Sequence, residues 1–155
     1  MIPIFRAKTI KQDYNEWEEC QELKKIDGVW YAIGFYDCKR EVKTYLGDWE
    51  TTHLVLIRKS TAILEVNTAE IIDISTLSIH FPDMLDSKGN KIFASLQEDG
   101  KGGDVIDNFN FQEKYRIQTA IYKYNCFHLM DKDNDTYSLI ECKLQKGIKV
   151  IGVKE

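Results

Sequence analysis

Apolar residues along this chain recur at every second position or in short runs, and hardly anywhere at helical spacing. A period of two puts alternate side chains on opposite faces of an extended segment, so this pattern constrains the fold toward β-sheet before any other feature is weighed. Val29 to Tyr36 is rich in aromatic and β-branched residues and follows the turn signal Asp27-Gly28, which predicts a strand. Thr51 to Ile57 and Ala62 to Val66 predict two more, joined by the polar connection Arg58-Lys59-Ser60-Thr61, and Ile71 to Ile74 a fourth. Asp86 to Asn90 is turn chemistry, and Glu98 to Asp104 reads as a loop. Tyr115 to Met130 predicts one long strand whose faces alternate Ile117/Thr119/Ile121 with Tyr122/Tyr124/Cys126. Asp131 to Asp135 turns the chain, Thr136 to Ile140 returns it, and Ile148 to Val153 is a last strand. Only Tyr14 to Lys25 has the Glu, Gln, Leu and Lys content of a helix, with a thin apolar stripe at Trp17, Cys20 and Leu23. The expected class is all-β, a small barrel or sandwich with room for one short helix.

The 155 residues suffice for one ordinary domain or two small ones sharing a core. A composition 43% hydrophobic and 30% charged is that of a globular chain rather than a disordered one. The net charge of −4 weighs against a general nucleic-acid binder, which carries a basic face. Acid is concentrated in residues 65–107, where nine carboxylates face three lysines. Met1 to Arg6 lacks the charged-then-apolar pattern of a signal peptide, and no run reaches membrane-spanning length. Cys20, Cys38, Cys126 and Cys142 lie far apart, which fits reduced thiols in a cytosolic chain.

Several segments in order resemble the YopX-like family of phage and prophage proteins. They are Phe5-Arg6, Glu16-Trp17, Asp73-Ile74-Ser75-Thr76-Leu77, Leu85 to Phe93, Gly103-Asp104-Val105-Ile106 and Val150-Ile151-Gly152. Ser78-Ile79-His80-Phe81-Pro82 departs from the family's Gly-Gln-aromatic-Thr-Gly step, the loop at Ala94 to Gly102 is additional, and residues 27–59 look like extra material. The resemblance implies a small SH3-like β-barrel in residues 83–155 beside an N-terminal β subdomain in 1–82, the two meeting near Phe81 to Leu85 or closing together as one unit. It implies a hairpin over Phe5 to Glu19 against the helical reading, a bacterial host cytoplasm, and no activity that could be carried over.

The candidate chemistry is weak. Asp131-x-Asp133-x-Asp135 imitates the start of a calcium loop, but Thr136 and Cys142 stand where that loop needs glycine and glutamate, so a hairpin turn is the better reading. Cys126 and His128 share a strand face with Cys142 on the expected partner strand, which is short of a tetrahedral zinc set. Gly100 to Asp104 lacks the Gly-Lys-Ser/Thr and following helix of a phosphate loop and reads as a flexible connection. His53, His80 and His128 have no nucleophile pattern beside them, and adjacent carboxylates such as Glu18-Glu19 point to opposite faces of a strand. No catalytic residue, metal ligand or cofactor is expected, and no binding residue is assigned.

The aromatic set Trp17, Trp30, Tyr31, Phe35, Tyr36, Tyr45 and Trp49 crowds the first third, interleaved with Lys39, Arg40 and Lys43. Core packing ranks first for it, protein contact second and base stacking third. The expected function is therefore a non-catalytic protein-interaction module acting on another protein or on a second copy. A single-stranded nucleic-acid binder is the alternative, and an enzyme with an unrecognised site stands third.

Overall fold

The computed structural model describes residues 3–10, 17–33, 38–46, 49–59, 64–68, 70–138 and 146–155, and between 38 and 70 the backbone alone. The chain is all-β. Its strands are β1 (Ile4–Thr9), β2 (Trp17–Cys20), β3 (Glu22–Ile26), β4 (Val29–Ile33), β5 (Cys38–Leu46), β6 (Trp49–Lys59) and β7 (Leu64–Thr68). They continue with β8 (Glu70–His80), β9 (Ala94–Ser95), β10 (Asp104–Asn108), β11 (Ile117–Lys123), β12 (Cys126–Met130), β13 (Thr136–Ser138) and β14 (Ile148–Val153). Among the described residues the only helical turn is a single 3-10 turn at Glu113–Tyr115.

Strands β5, β6 and β7 pair antiparallel as a separate three-stranded sheet. The other eleven form an open mixed sheet with the path β13-β12-β11-β9-β8-β1-β2 and branches at β4-β3 and β10-β14. The barrel expected in the C-terminal half is met by an open, branched sheet. There β14 pairs with β10 on one edge, while its other edge meets the Asp86–Ser87 turn through Ser87 N–H to Ile148 C=O and Val150 N–H to Asp86. Two clusters fill the interior. Ile79, Ile92, Ala94, Ile106, Ala120, Phe127, Leu129 and Ile148 form one, while Ala7, Cys20, Ala32, Ile72 and Leu77 form the other. Phe5 packs against both, and the long strand β8 supplies Ile79 to the first and Ile72 and Leu77 to the second.

Four further expectations need correction. The described part of the helical segment is extended: β2 pairs with β1 from Lys8↔Trp17 to Phe5↔Cys20, and β3 pairs with β4. Burial of Cys20 and partial burial of Leu23 in one cluster outweigh the modest helix propensity of Glu and Lys. The long strand expected over Tyr115 to Met130 is a hairpin, because Tyr124 (φ 52°) and Asn125 (φ 60°) both take the left-handed conformation of a two-residue turn. The glycine segment near residue 102 is no flexible connection: a Cβ on Gly102 would overlap the Thr76 carbonyl, and one on Gly103 the Ala120 carbonyl. Arg58 and Lys59, expected in a connection, extend β6.

Candidate functional site

A buried ion pair joins strands β1 and β10 of the large sheet. Arg6 on β1 donates to Asp104 on β10 (2.8 Å) and to the Gly102 carbonyl (2.9 Å). The other Asp104 oxygen accepts the Phe93 N–H at 2.8 Å. Arg6 stacks over Phe93 (4.4 Å to the ring centre) and lies 5.5 Å from the Trp17 ring. Burial drives the Asp104 carboxyl above its ordinary range, against the Arg6 charge and the Phe93 N–H. His80 packs on Phe93 with Nδ1 3.0 Å from the Ile92 carbonyl, and burial lowers its pKa. Arg6, Phe93 and Asp104 thus converge at a junction whose polar atoms point into the protein. Only Arg6 Nε is left without an acceptor among the described residues.

The other polar sequences are likewise spent on their own backbone. Asp131 accepts N–H bonds from Asp133 and Asp135 and the Tyr137 hydroxyl, which makes Asp131 to Asp135 the turn between β12 and β13. Asp86 accepts from Lys88 N–H, Asn90 N–H, the Asn90 amide and Val150 N–H. Around Gly102 the amides that a phosphate would need already donate, from Gly102 to Lys154 C=O, Gly103 to Gly100 C=O and Asp104 to Phe93 C=O. Among the described residues no group of three or more His, Cys, Asp or Glu is placed to hold a metal ion, and no helix is long and apolar enough to cross a membrane.

A different surface has polar and apolar groups turned outward. Beyond β10 the chain makes a turn built by Asn108, whose Oδ1 accepts the Asn110 N–H while its Nδ2 donates to Gln118. Phe109 N–H is fixed to Gly147 C=O at 2.6 Å, and Asn110 donates to Lys146 C=O. This scaffold holds Phe109 outward, 52% exposed, beneath the Arg116 guanidinium at 4.0 Å. Arg116 is in turn anchored by two bonds to Asp107. Phe111 meets Tyr137 of β13 edge-on at 4.7 Å, and Tyr115 lies between Lys114 (5.3 Å) and Lys132 (5.7 Å). Four rings with Arg and Lys around them therefore share one rim of the sheet.

A second feature lies on β12. Cys126 and His128, two apart on one face, bring Sγ to 3.3 Å from Nε2. Further along that strand Met130 lines a cleft of about 640 Å³ that runs beneath Leu96, Gln97, Glu98 and Asp99 to Tyr124.

Of the sequence-selected aromatics, Trp17, Trp30 and Tyr31 are half-buried, and Trp30 packs on the second core cluster. Phe35 and Tyr36 lie outside the described residues, as do the side chains of Tyr45, Trp49, Lys39, Arg40, Lys43 and His53. Cys142, the third member of the zinc candidate, also lies outside them. The rim of Phe109, Phe111, Tyr115 and Tyr137 was missed. Its signal was available in Asn108-Phe109-Asn110-Phe111: aromatic residues set between turn-forming asparagines cannot all turn into a core. No family model, curated protein or solved structure matches the chain.

Proposed function

We propose that this chain is a non-catalytic protein-interaction module of the phage and prophage accessory type, acting in the host cytoplasm through the aromatic rim. The observation that carries the reading is the preorganised presentation of Phe109: its turn is bonded on both sides, yet its ring is half in water. A protein that uses four backbone and side-chain bonds to fix an exposed ring has lowered the ordering cost of docking it. Burying the remaining apolar surface of such a ring is worth on the order of 1 kcal/mol, and a cluster of four supplies the centre of an interface. The charges nearby are mixed: Arg116 is paired with Asp107, and Lys114 and Lys132 are flanked in sequence by Glu113, Asp133 and Asp135. A polar rim of both signs suits a protein partner. Polyphosphate binding needs several cations aligned without carboxylates between them.

The test places a photo-crosslinking amino acid at position 109 in cells and, as a control, at position 85, where Leu85 is also exposed. Discrete products from position 109 that disappear with Tyr137→Ala support the reading, and light scattering tells a second copy from a foreign partner. Tight, salt-sensitive binding of single-stranded DNA in fluorescence polarisation, weakened by Phe109→Ala, would replace it with the nucleic-acid alternative.

A further inference from the structure

We propose that the cleft between the 96–99 loop and the β11–β12 hairpin binds a neutral saccharide of one or two rings, stacked on Tyr124. This goes beyond the interaction reading and does not rest on it. The cleft holds about 640 Å³, within the roughly 300–1,000 Å³ of small-molecule sites. Its walls are fixed by the protein's own bonds. On one side Leu96 N–H donates to the Leu77 carbonyl, the Gln97 amide to the Ile74 carbonyl and Lys154 to the Asp99 carbonyl. On the other, Asp131 holds the turn that carries Asn134 and leads into Thr136. Buried Ile121 and Met130 line the cleft from the sheet between them.

Two independent observations point to a ligand. Tyr124 takes φ 52°, at a turn position that favours asparagine or glycine, yet its ring lines the cleft and is 85% exposed. A side chain kept at a backbone cost while contributing little packing marks a functional position. Lys123 Nζ stands 5.2 Å from the ring centre and steadies it. The polar groups around the cleft are also open. Among the described residues Glu98, Asn134 and Thr136 make no side-chain hydrogen bond to the protein. Asp99 uses one carboxylate oxygen to accept the Lys101 N–H and has the other open.

These groups select the class of ligand. Glu98 and Asp99 offset Lys123 and Lys154, so the cleft has no net charge with which to attract an ion. A wholly apolar ligand would take Glu98, Asn134 and Thr136 out of water without replacing their hydrogen bonds. A sugar ring meets both demands. The C–H bonds of one face lie against the Tyr124 ring. Its hydroxyls donate and accept at once, which suits two carboxylates, an amide and a hydroxyl.

The labelled native protein is screened on an array of neutral, sialylated and sulfated glycans, and the best neutral mono- or disaccharide is titrated by heteronuclear NMR. Saturable shifts are expected at residues 97–99, 123–125 and 134–136, which surround the cleft. Tyr124→Asn suits the turn and should keep the fold while losing ~10-fold or more in affinity, as loss of a stacked ring does. Thr136→Val should weaken binding several-fold. Phe109→Ala should leave it unchanged, which separates this site from the rim. The proposal is overturned if no neutral glycan binds, or if a sialylated or sulfated glycan binds more tightly. It is equally overturned if Tyr124→Asn binds as well as the native chain, or if Phe109→Ala abolishes binding.

Discussion

The Arg6–Asp104 junction and the Phe109–Tyr137 rim use the same residue types, cations against carboxylates and aromatic rings, to opposite ends. At the junction the ring of Phe93 covers Arg6, Asp104 is 1% exposed, and nearly every donor has an internal acceptor. At the rim the ring of Phe109 stays in water, and Arg116 is fixed over its face. The difference teaches that a charge on a ring is not a functional sign in itself. What separates structure from candidate function is whether the bonded network closes on the protein or stops at a surface.

The junction is the place to break the fold. Asp104→Ala strands the Arg6 charge in the interior and is expected to cost about 3–5 kcal/mol in urea unfolding. A cost under about 1 kcal/mol would mean that Arg6 swings to solvent and that the junction is not closed. Gly102→Ala should follow at roughly 1–3 kcal/mol, since its Cβ meets the Thr76 carbonyl and its φ of 85° is foreign to alanine.

Two buried aspartates then sharpen the comparison by titrating in opposite senses. At Asp86 burial works against the charge, but N–H groups of Val150, Asn90 and Lys88 outweigh it and hold the carboxyl below its ordinary range. Its contribution is present above the unfolded carboxylate pKa and lost as pH falls through the folded one. Asp104 is raised, so its contribution is present in acid and lost as pH rises through its folded pKa. Asp86→Asn should cost about 1.5–3 kcal/mol at neutral pH and flatten the acid limb of the stability curve. Asp104→Asn should steepen that limb. Parallel limbs in the two variants would contradict the assignment.

How much of this was legible in the sequence depends on how local each determinant is. The strands at Val29, Ile71 and Ile148 and the Asp131 turn are written in neighbouring residues, and period and turn chemistry found them. The hairpin at Tyr124-Asn125 was missed because tyrosine is no turn former, and only its asparagine marked the bend. The extended state of Glu22–Ile26 is set by pairing with β4, which local propensity does not contain. The tightness at Gly102 and Gly103 comes from Thr76 and Ala120, and the Arg6–Asp104 bond joins residues 98 apart in sequence. The Cys126–His128 pair lies two residues apart on one strand, so the sequence could show it. Its distance and burial came only with the fold.

The Tyr124 turn carries a smaller effect. Tyrosine in the left-handed region costs about 1 kcal/mol relative to residues that tolerate it. The ring is 85% exposed, so little packing is lost on removing it. Tyr124→Asn is therefore expected to stabilise the chain by up to that amount in thermal unfolding. A loss of stability would show that the ring's place at the mouth of the cleft contributes more than its backbone strain costs.

The smallest stability effect is expected at the rim, where the comparison is most exposed to failure. Phe109 is half in water and its turn is held by Asn108, Asn110 and Gly147 rather than by its ring. Replacing the ring by a methyl group should therefore shift unfolding by no more than about 0.5 kcal/mol, the range of ordinary surface changes. Arg116 keeps its two bonds to Asp107 in that variant, so no charge is stranded. If Phe109→Ala instead costs as much as Asp86→Asn, the ring is part of the structure and the rim closes on the protein like the junction. If stability is unmoved while crosslinking through Tyr115 or Tyr137 is lost, the ring serves a contact outside the chain, and the contrast between the two regions holds.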